Sequence, residues 1–295
     1  EGVWVSVFTA ISAFCNAGFD LFGRFGAYSS LVPYVNNYYV QAVIMFMIMA
    51  GGLGFMVWVE LAEYRKKRRL SLHAKVVLQF SAIFWVGGAV LLALLEWSNP
   101  RTMGGLSVPG KIMAALFQSV STRTAGMNTI DLAACSPISK LLMSVLQFIG
   151  AAPGSTGGGV KVTTFAVLIL TIRSVAQGRD DCVIGGHHIE SKTVYRALTI
   201  IVIGAVAAFG SAVVVYYNTA ETVSVIDCIF ESCSAFGTVG LSVGVTGQLN
   251  TGAKLLYMAC MFMGRVGPVS LAISLTAKPD DNKRKVLPVG HINVG

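Results

Sequence analysis

The chain has 295 residues, of which 54% are hydrophobic and 12% are charged. A soluble domain carries about 25% charged residues, and so few polar side chains could not cover a water-exposed surface of this size, which excludes a soluble protein and indicates a membrane protein. The formal net charge of +8 comes from short basic clusters between apolar runs, without the basic stripe of a nucleic-acid-binding surface. We therefore expect lipid, and no nucleic acid, as a partner.

Four or five apolar runs reach about 20 residues, the length that crosses the hydrocarbon layer of a bilayer. They cover about Asn37–Val59, Val76–Leu95, Ser139–Arg173, Ala197–Tyr217 and Leu255–Ala277. The third run is interrupted by the sequence GAAPGSTGGGVK, so we expect two half-helices joined by a glycine-rich loop at membrane depth.

Three shorter apolar segments lie at Val3–Phe14, Lys111–Ser121 and Thr222–Ser234. With about 10 to 14 residues each they are too short to cross the bilayer, which predicts re-entrant or interfacial helices. Each segment is followed directly by a turn that contains glycine.

Basic loops predict the orientation, because loops rich in Lys and Arg stay in the cytoplasm. The rich loops and the C-terminal tail contain Arg65, Lys66, Lys67, Arg68, Arg69, Arg173, Arg179, Lys192, Arg196, Lys278, Lys283, Arg284 and Lys285. We therefore expect a cytoplasmic C-terminus, with the three short segments entering from the opposite face.

The three short segments form a repeat when they are aligned on Gly18, Gly126 and Gly240, which are 108 and 114 residues apart. The tripeptide Ser-Ala-Phe occurs in the same register at residues 12–14 and 234–236. A large apolar residue precedes each glycine by ten positions: Phe8, Leu116 and Phe230.

A glycine turn at membrane depth needs a reason, because unpaired backbone groups cost several kcal/mol in hydrocarbon unless they face protein or a water-filled cavity. The C-terminus of a short helix favours a cation, and an extended turn offers carbonyl oxygens that replace the hydration shell of an ion. A ring of about four such turns would surround K⁺ in this way. Three are visible in the sequence, so we expect a fourth repeat before Glu1.

Five motifs resemble those of the Trk/Ktr/HKT superfamily of cation transporters, and in particular the membrane subunit of bacterial Ktr-type potassium uptake systems. They are SAFCNAGFD (residues 12–20), TRTAGMNTID (122–131), GSTGGGVKVTTF (154–165), FESCSAFGTVGLS (230–242) and MGRVGP (263–268). The motifs span nearly the whole chain in the order of that family.

The resemblance implies an all-α polytopic membrane protein in which four M1-P-M2 repeats, each with a re-entrant pore helix P, surround one pore with pseudo-fourfold symmetry. Residues 1–75 would hold the pore helix, filter and M2 of the second repeat with a cytoplasmic loop. Residues 76–190 and 191–277 would hold the third and fourth repeats, and 278–295 a cytoplasmic tail. The first repeat and the second M1 would be absent from this chain.

The resemblance also implies roles for individual residues. The filter carbonyls would belong to Asn16, Ala17, Gly18, Thr124, Ala125, Gly126, Thr238, Val239 and Gly240. A gate below the filter would consist of the glycine-rich break at Gly154, Gly157, Gly158 and Gly159 together with Arg265. K⁺ would bind at the filter, with Na⁺ as a candidate activator. The protein would be a homodimer in the bacterial plasma membrane, regulated by a ring of cytosolic nucleotide-binding subunits.

Several alternatives compete with these interpretations. Arg265 lies inside an apolar run, where an arginine faces either a cavity or a partner such as Asp227 or Glu231. Gly51, Gly52 and Gly54 favour close helix packing over a role in the pore. The protein could also be an alternating-access secondary transporter that binds its substrate at the broken helix.

Enzymatic chemistry and bound organic cofactors are not expected. The GSTGGGVK sequence lacks the lysine position of a phosphate-binding loop, which Val160 occupies. Catalytic triads, carboxylate pairs and metal clusters do not recur in the apolar runs. The six cysteines form no CxxC motif and are expected to be buried thiols.

Overall fold

The computed structural model describes residues 2–26, 29–178, 182–219 and 222–267. Within these residues the chain forms ten α-helices and one short hairpin. The helices are α1 Gly2–Phe14, α2 Tyr38–Gly52, α3 Phe55–Lys67, α4 Leu72–Glu96, α5 Val108–Ser121, α6 Pro137–Phe148, α7 Val162–Ala176, α8 Ser191–Asn218, α9 Val225–Gly237 and α10 Thr251–Val266. The predominantly helical fold expected from the sequence is confirmed.

Most helices are preceded by a residue whose side chain accepts a hydrogen bond from a backbone amide of the first turn. Such a cap satisfies one of the amide groups that have no partner within the helix. The capping residues are Asn37 for α2, Ser71 for α4, Ser107 for α5, Ser136 for α6, Ser224 for α9 and Asn250 for α10.

Two helices, α4 with 25 residues and α8 with 28, are long and apolar enough to cross a membrane by themselves. Helices α2 and α3 pass the same test only together, as a pair bent by 99°. The span predicted at about Asn37–Val59 is therefore a bent pair of helices and not one straight helix. The helix breaks because Gly54 has a φ of 84°, and the amide of Phe55 bonds to the carbonyl of Gly154 at 3.1 Å.

The interrupted third span is confirmed as two helices, α6 and α7, on either side of residues 149–161. The fifth predicted span is seen as α10, which has 16 residues and ends at Val266. The remainder of that span, the C-terminal basic cluster and Arg179 lie outside the described residues.

The short segments form α1, α5 and α9, each with 13 or 14 residues, as the sequence predicts. Helix α4 packs against α5 and α6, α8 packs against α9 and α10, and α1 packs against α2. Contacts between α6 and α9 and between α2 and α5 join these groups. All three short helices are therefore held by longer neighbours.

Glycines allow two of these helix pairs to approach closely. A Cβ atom on Gly51 of α2 would overlap the carbonyl of Phe14, and one on Gly264 of α10 would overlap the carbonyl of Phe236. The packing role expected for Gly51 is thus confirmed. Gly52 makes ordinary contacts, whereas Gly54 serves the break between α2 and α3.

Two further details differ from the sequence-based expectation. An antiparallel hairpin of β1 (Cys182–Ile184) and β2 (His187–Ile189) connects α7 to α8, with a turn at Gly185 and Gly186, both of positive φ. Five cysteines are buried thiols, but Cys15 is exposed at the end of α1.

Candidate functional site

Three turns at the C-terminal ends of α1, α5 and α9 share one backbone conformation. We call Asn16–Gly18, Thr124–Gly126 and Thr238–Gly240 the glycine turns. Their first and third residues have positive φ: Asn16 (49°), Gly18 (74°), Thr124 (78°), Gly126 (80°), Thr238 (52°) and Gly240 (91°). This conformation costs glycine little but strains a β-branched residue, so the chain holds backbone strain at Thr124 and Thr238.

The glycine turns meet although more than a hundred residues separate each from the next. A Cβ atom built on Gly18 would lie 2.9 Å from the carbonyl oxygen of Ala125 and 3.3 Å from that of Val239. A Cβ atom on Gly126 would overlap the same Val239 oxygen, and one on Gly240 would lie 3.9 Å from the Cα of Gly126. Peptide oxygens of the second and third turns therefore crowd against the glycine of the first. Only glycine leaves room for this approach.

A buried serine in each short helix fixes the turn that follows it. The serine hydroxyl donates to the carbonyl one residue after the glycine, while the serine carbonyl accepts from the amide one residue before the glycine. The hydroxyl bonds are Ser12 to Phe19 (2.7 Å), Ser121 to Met127, and Ser234 to Leu241 (2.7 Å). The amide bonds are Ala17 to Ser12 (2.9 Å), Ala125 to Ser121 (3.0 Å) and Val239 to Ser234 (2.9 Å).

These serines were not identified as site residues from the sequence. Ser12 and Ser234 lie in the repeated Ser-Ala-Phe sequence, six residues before their glycines, which was an available signal. Ser121 lies only five residues before Gly126, so the second turn is one residue shorter and its serine falls out of register.

The glycine loop, Gly154–Gly159, lies against the first residue of every glycine turn. Thr156 Oγ1 accepts a hydrogen bond from Asn16 Nδ2 at 3.1 Å. A Cβ atom on Gly157 would overlap Thr124 Oγ1, and a Cβ atom on Gly158 would overlap Thr238 Oγ1. Consecutive loop residues thus contact the first, second and third turns.

Two cationic side chains hold the glycine loop. The guanidinium of Arg265 donates to the carbonyl of Thr156, and Lys161 Nζ donates to the carbonyl of Gly157 at 2.6 Å. The amide of Gly159 also bonds to the carbonyl of Gly264, one residue before Arg265, at 3.1 Å. No pattern in the sequence singles out Lys161.

The alternative that pairs Arg265 with a carboxylate is wrong. Asp227 forms a salt bridge with Lys140 at 2.7 Å. Glu231 accepts its hydrogen bonds from residues 242–246. Arg265 is instead exposed and directed to the glycine loop.

The base of the glycine loop is closed by backbone pairing and a buried arginine. Gly150 N donates to the carbonyl of Val160 at 2.8 Å, and Val160 N donates to Phe148 at 3.1 Å. The guanidinium of Arg123, 4% exposed, donates to the carbonyl of Gly150 at 2.7 Å. Its carbon lies 5.3 Å from the ring centroid of Phe84, a cation–π contact. Arg123 thereby ties the second turn to the loop.

Two buried side-chain oxygens where the glycine loop meets the turns have no hydrogen-bond partner in the described part of the chain. Asn16 Oδ1 and Thr124 Oγ1 are buried without a hydrogen-bond partner among the described residues. Oxygen atoms of this kind are ligands that a hard monovalent or divalent cation accepts. Among the residues that the structure describes, no group of three or more His, Cys, Asp or Glu side chains is placed to hold a metal ion.

Comparison with known proteins identifies the family of this chain. The family model described as TrkH, cation transport protein, matches residues 1–285. The chain is 36% identical over 280 residues to the potassium/sodium uptake protein NtpJ of Enterococcus hirae, covering 94% of this chain and 61% of the relative. It is 34% identical over 295 residues to the Ktr system potassium uptake protein B of Bacillus subtilis, covering 100% of this chain and 64% of the relative.

A third relative, the Ktr system potassium uptake protein B of Vibrio alginolyticus, is 38% identical over 281 residues, or 95% of this chain and 60% of the relative. The crystal structure of the potassium transporter TrkH from Vibrio parahaemolyticus superimposes with a TM-score of 0.72 at 20% identity, covering 90% of this chain and 56% of that one. The structural likeness establishes the fold. The chain spans between three fifths and two thirds of the length of the three relatives compared by sequence.

Proposed function

Because this chain belongs to the TrkH family of cation transport proteins, we propose that it forms most of a channel-like pore for potassium uptake. The observation that carries the proposal is the meeting of the three glycine turns through their peptide oxygens. A potassium ion can exchange its hydration shell for a ring of such oxygens.

The chemistry of the turns fits a monovalent cation better than an anion or an organic substrate. The short helices α1, α5 and α9 direct their C-terminal ends, which carry partial negative charge, towards the turns. In this proposal K⁺ is coordinated by the nine carbonyl groups of the glycine turns, Asn16–Gly18, Thr124–Gly126 and Thr238–Gly240. The free oxygens of Asn16 and Thr124 supply further ligands at the inner end.

We propose four repeats around the pore, of which three contribute turns here. Residues 1–75 hold the turn and M2 of the second repeat, 76–190 the third repeat and 191–277 the fourth. The tail at 278–295 is cytoplasmic. A first repeat completes the ring in the whole transporter, which resides in the plasma membrane as a homodimer.

The glycine loop and Arg265 form the gate in this proposal. The loop lies directly against the first residue of each of the three turns, so ions leaving the filter have to displace it. Arg265 adds a positive charge that repels cations on the same path. A ring of cytosolic nucleotide-binding subunits moves the loop by acting on the inner face. Two relatives are named Ktr system potassium uptake protein B, which supports a further component beside this chain.

Ion flux into proteoliposomes containing the complete four-repeat transporter tests the proposal. Gly126→Ala places a Cβ atom against the Val239 carbonyl, at a φ of 80° that alanine rarely adopts. We expect K⁺ uptake to lose its preference over Na⁺. The control is Gly210→Ala on α8, where a Cβ atom meets nothing within 4 Å. Unchanged selectivity in the Gly126 variant, with wild-type folding, contradicts a filter at these turns.

A further inference from the structure

We propose that Glu231 is a positioning residue for ion selectivity, because its buried carboxylate fixes the outer limb of the third glycine turn. The outer limb is Leu241–Thr246, the segment that follows Gly240. The proposal rests on the proposed function, since it assumes that the turn at Thr238–Gly240 coordinates the transported ion.

The carboxylate of Glu231 binds the outer limb through both of its oxygens. The side chain lies on α9 and is 4% exposed. Its Oε1 accepts from Ser242 Oγ at 2.5 Å, Val243 N at 3.0 Å and Val245 N at 3.1 Å. Its Oε2 accepts from Thr246 Oγ1 at 2.8 Å. A single side chain therefore gathers two amides and two hydroxyls of one short segment.

A carboxylate is the group that this arrangement requires. One oxygen receives three donors, and hydrogen bonds to an ionised acceptor are about twice as strong as those to a neutral one. A glutamine amide would keep one acceptor oxygen but would replace the second with a donor group. It would therefore hold the limb less firmly without creating a cavity.

The position of Glu231 within the repeat indicates a role specific to the third turn. It lies three residues before the brace serine Ser234, and the equivalent residues are Thr9 before Ser12 and Gln118 before Ser121, neither of which is ionisable. The limb after the second turn is held differently, by Leu31 N donating to Asn128 O at 3.0 Å. The three turns share their serine brace but differ in this outer support.

The limb is connected directly to the turn that it follows. Ser234, also on α9, donates to the carbonyl of Leu241, which adjoins Gly240. Glu231 and Ser234 lie three residues apart on the same helix, so they clamp neighbouring parts of one segment. Loss of the Glu231 contacts leaves Ser234 to hold this segment from α9, so the peptide next to Gly240 is held less firmly.

Glu96 provides a matched control. It is buried and also accepts four hydrogen bonds, from Ser136 N at 2.8 Å, Ser139 Oγ at 2.5 Å, Asn99 Nδ2 at 2.7 Å and Thr102 Oγ1 at 2.6 Å. These partners lie at the ends of α4 and α6 and not next to a glycine turn. Glu96→Gln should lower stability as Glu231→Gln does, without touching the filter.

The experiment compares Glu231→Gln and Glu96→Gln in the complete transporter reconstituted in proteoliposomes, with K⁺ and Na⁺ uptake measured in competition. We expect Glu231→Gln to lower the K⁺/Na⁺ selectivity ratio about tenfold, the change that ~1.4 kcal/mol of differential ion binding produces. Glu96→Gln should leave the ratio unchanged. A wild-type ratio in a folded Glu231→Gln protein, or an equal fall in both variants, overturns the proposal.

Ser242→Ala keeps the test decisive if Glu231→Gln fails to fold, because it removes one donor from the limb and leaves α9 intact. A lower ratio for Ser242→Ala supports the proposal, and an unchanged ratio overturns it.

Gly126→Ala separates this inference from the proposed function. If Gly126→Ala abolishes selectivity while the Glu231 and Ser242 variants retain it, only the inference about Glu231 fails. If Gly126→Ala has no effect, the filter itself is misplaced.

Discussion

The side-chain amide of Asn16 donates a hydrogen bond of 3.1 Å to Thr156 Oγ1, which joins the first glycine turn to the glycine loop across 140 residues of sequence. The same Thr156 hydroxyl donates to the carbonyl of Phe14 at 3.1 Å, and the Thr156 amide bonds to Gly51 at 3.2 Å. One threonine thus connects the loop to α1, to its turn and to α2. In the proposed function, this contact is how the gate closes: the loop docks onto the filter.

Removal of the Thr156 hydroxyl should favour the open gate. Thr156→Val keeps the shape of the side chain but loses both hydrogen bonds, and a net loss of ~1 kcal/mol would raise the open population about fivefold. We therefore expect K⁺ flux in the absence of the regulatory subunits to increase about fivefold. The control is Thr199→Val, since the exposed Thr199 bonds to the carbonyl of Tyr195 within its own helix, α8. Equal basal flux in the two variants would argue that the hydroxyl does not hold the gate.

A side chain at Gly158 should displace the loop from the third turn. The Cβ atom of Gly158→Ala would overlap Thr238 Oγ1 and lie 3.0 Å from its Cγ2, and Thr238 has little freedom because its own φ is positive. We expect raised basal flux, together with greater accessibility of residues 154–159 to a water-soluble thiol reagent after cysteine substitution at Ser155. Gly210→Ala is the control for the added methyl group. Lower flux with unchanged accessibility would mean that the loop tolerates alanine and that the filter was damaged instead.

Patterns in the sequence were sufficient to locate the glycine turns and the broken third span. Both depend on local features: short apolar runs ending in glycine at a regular spacing, and a glycine cluster inside a long apolar run. Such features are visible without knowledge of contacts, because only glycine adopts these backbone angles cheaply. Gly18, Gly126 and Gly240 were identified for this reason, and the structure brings them together.

Features that depend on distant partners could not be predicted. The break at Gly54 exists because the carbonyl of Gly154 accepts the amide of Phe55, a contact that no local pattern encodes. Lys161 and Glu231 are ordinary charged residues in the sequence, and their importance follows only from the carbonyls and amides that surround them. Ser121 makes the same hydrogen bond as Ser12 and Ser234 although it lies one residue closer to its glycine, so sequence spacing alone does not reveal it.

The two cations that bind the glycine loop should act together. Arg265 and Lys161 donate to neighbouring carbonyls, of Thr156 and Gly157, and both hold the loop in its docked position. We expect Arg265→Ala and Lys161→Met each to raise basal flux. The double variant should fall short of the product of the two effects, because residues that share a network are not additive. Lys111→Met is the control, since Lys111 donates to the Trp97 carbonyl far from the loop. Reduced flux in Arg265→Ala would contradict its assignment as a barrier.

The serine brace of the third turn should contribute to selectivity. Ser234 is 3% exposed, and Ser234→Ala leaves the buried carbonyl of Leu241 without its 2.7 Å hydrogen bond, at a cost of about 1 to 3 kcal/mol. The Val239–Gly240 peptides would then be free to reorient, and we expect the concentration of Na⁺ that halves K⁺ uptake to fall. Ser211→Ala is the matched control, because Ser211 is equally buried but donates to a carbonyl within its own helix. If both serine variants retain wild-type Na⁺ sensitivity, the brace supports folding alone and does not set the selectivity of the pore.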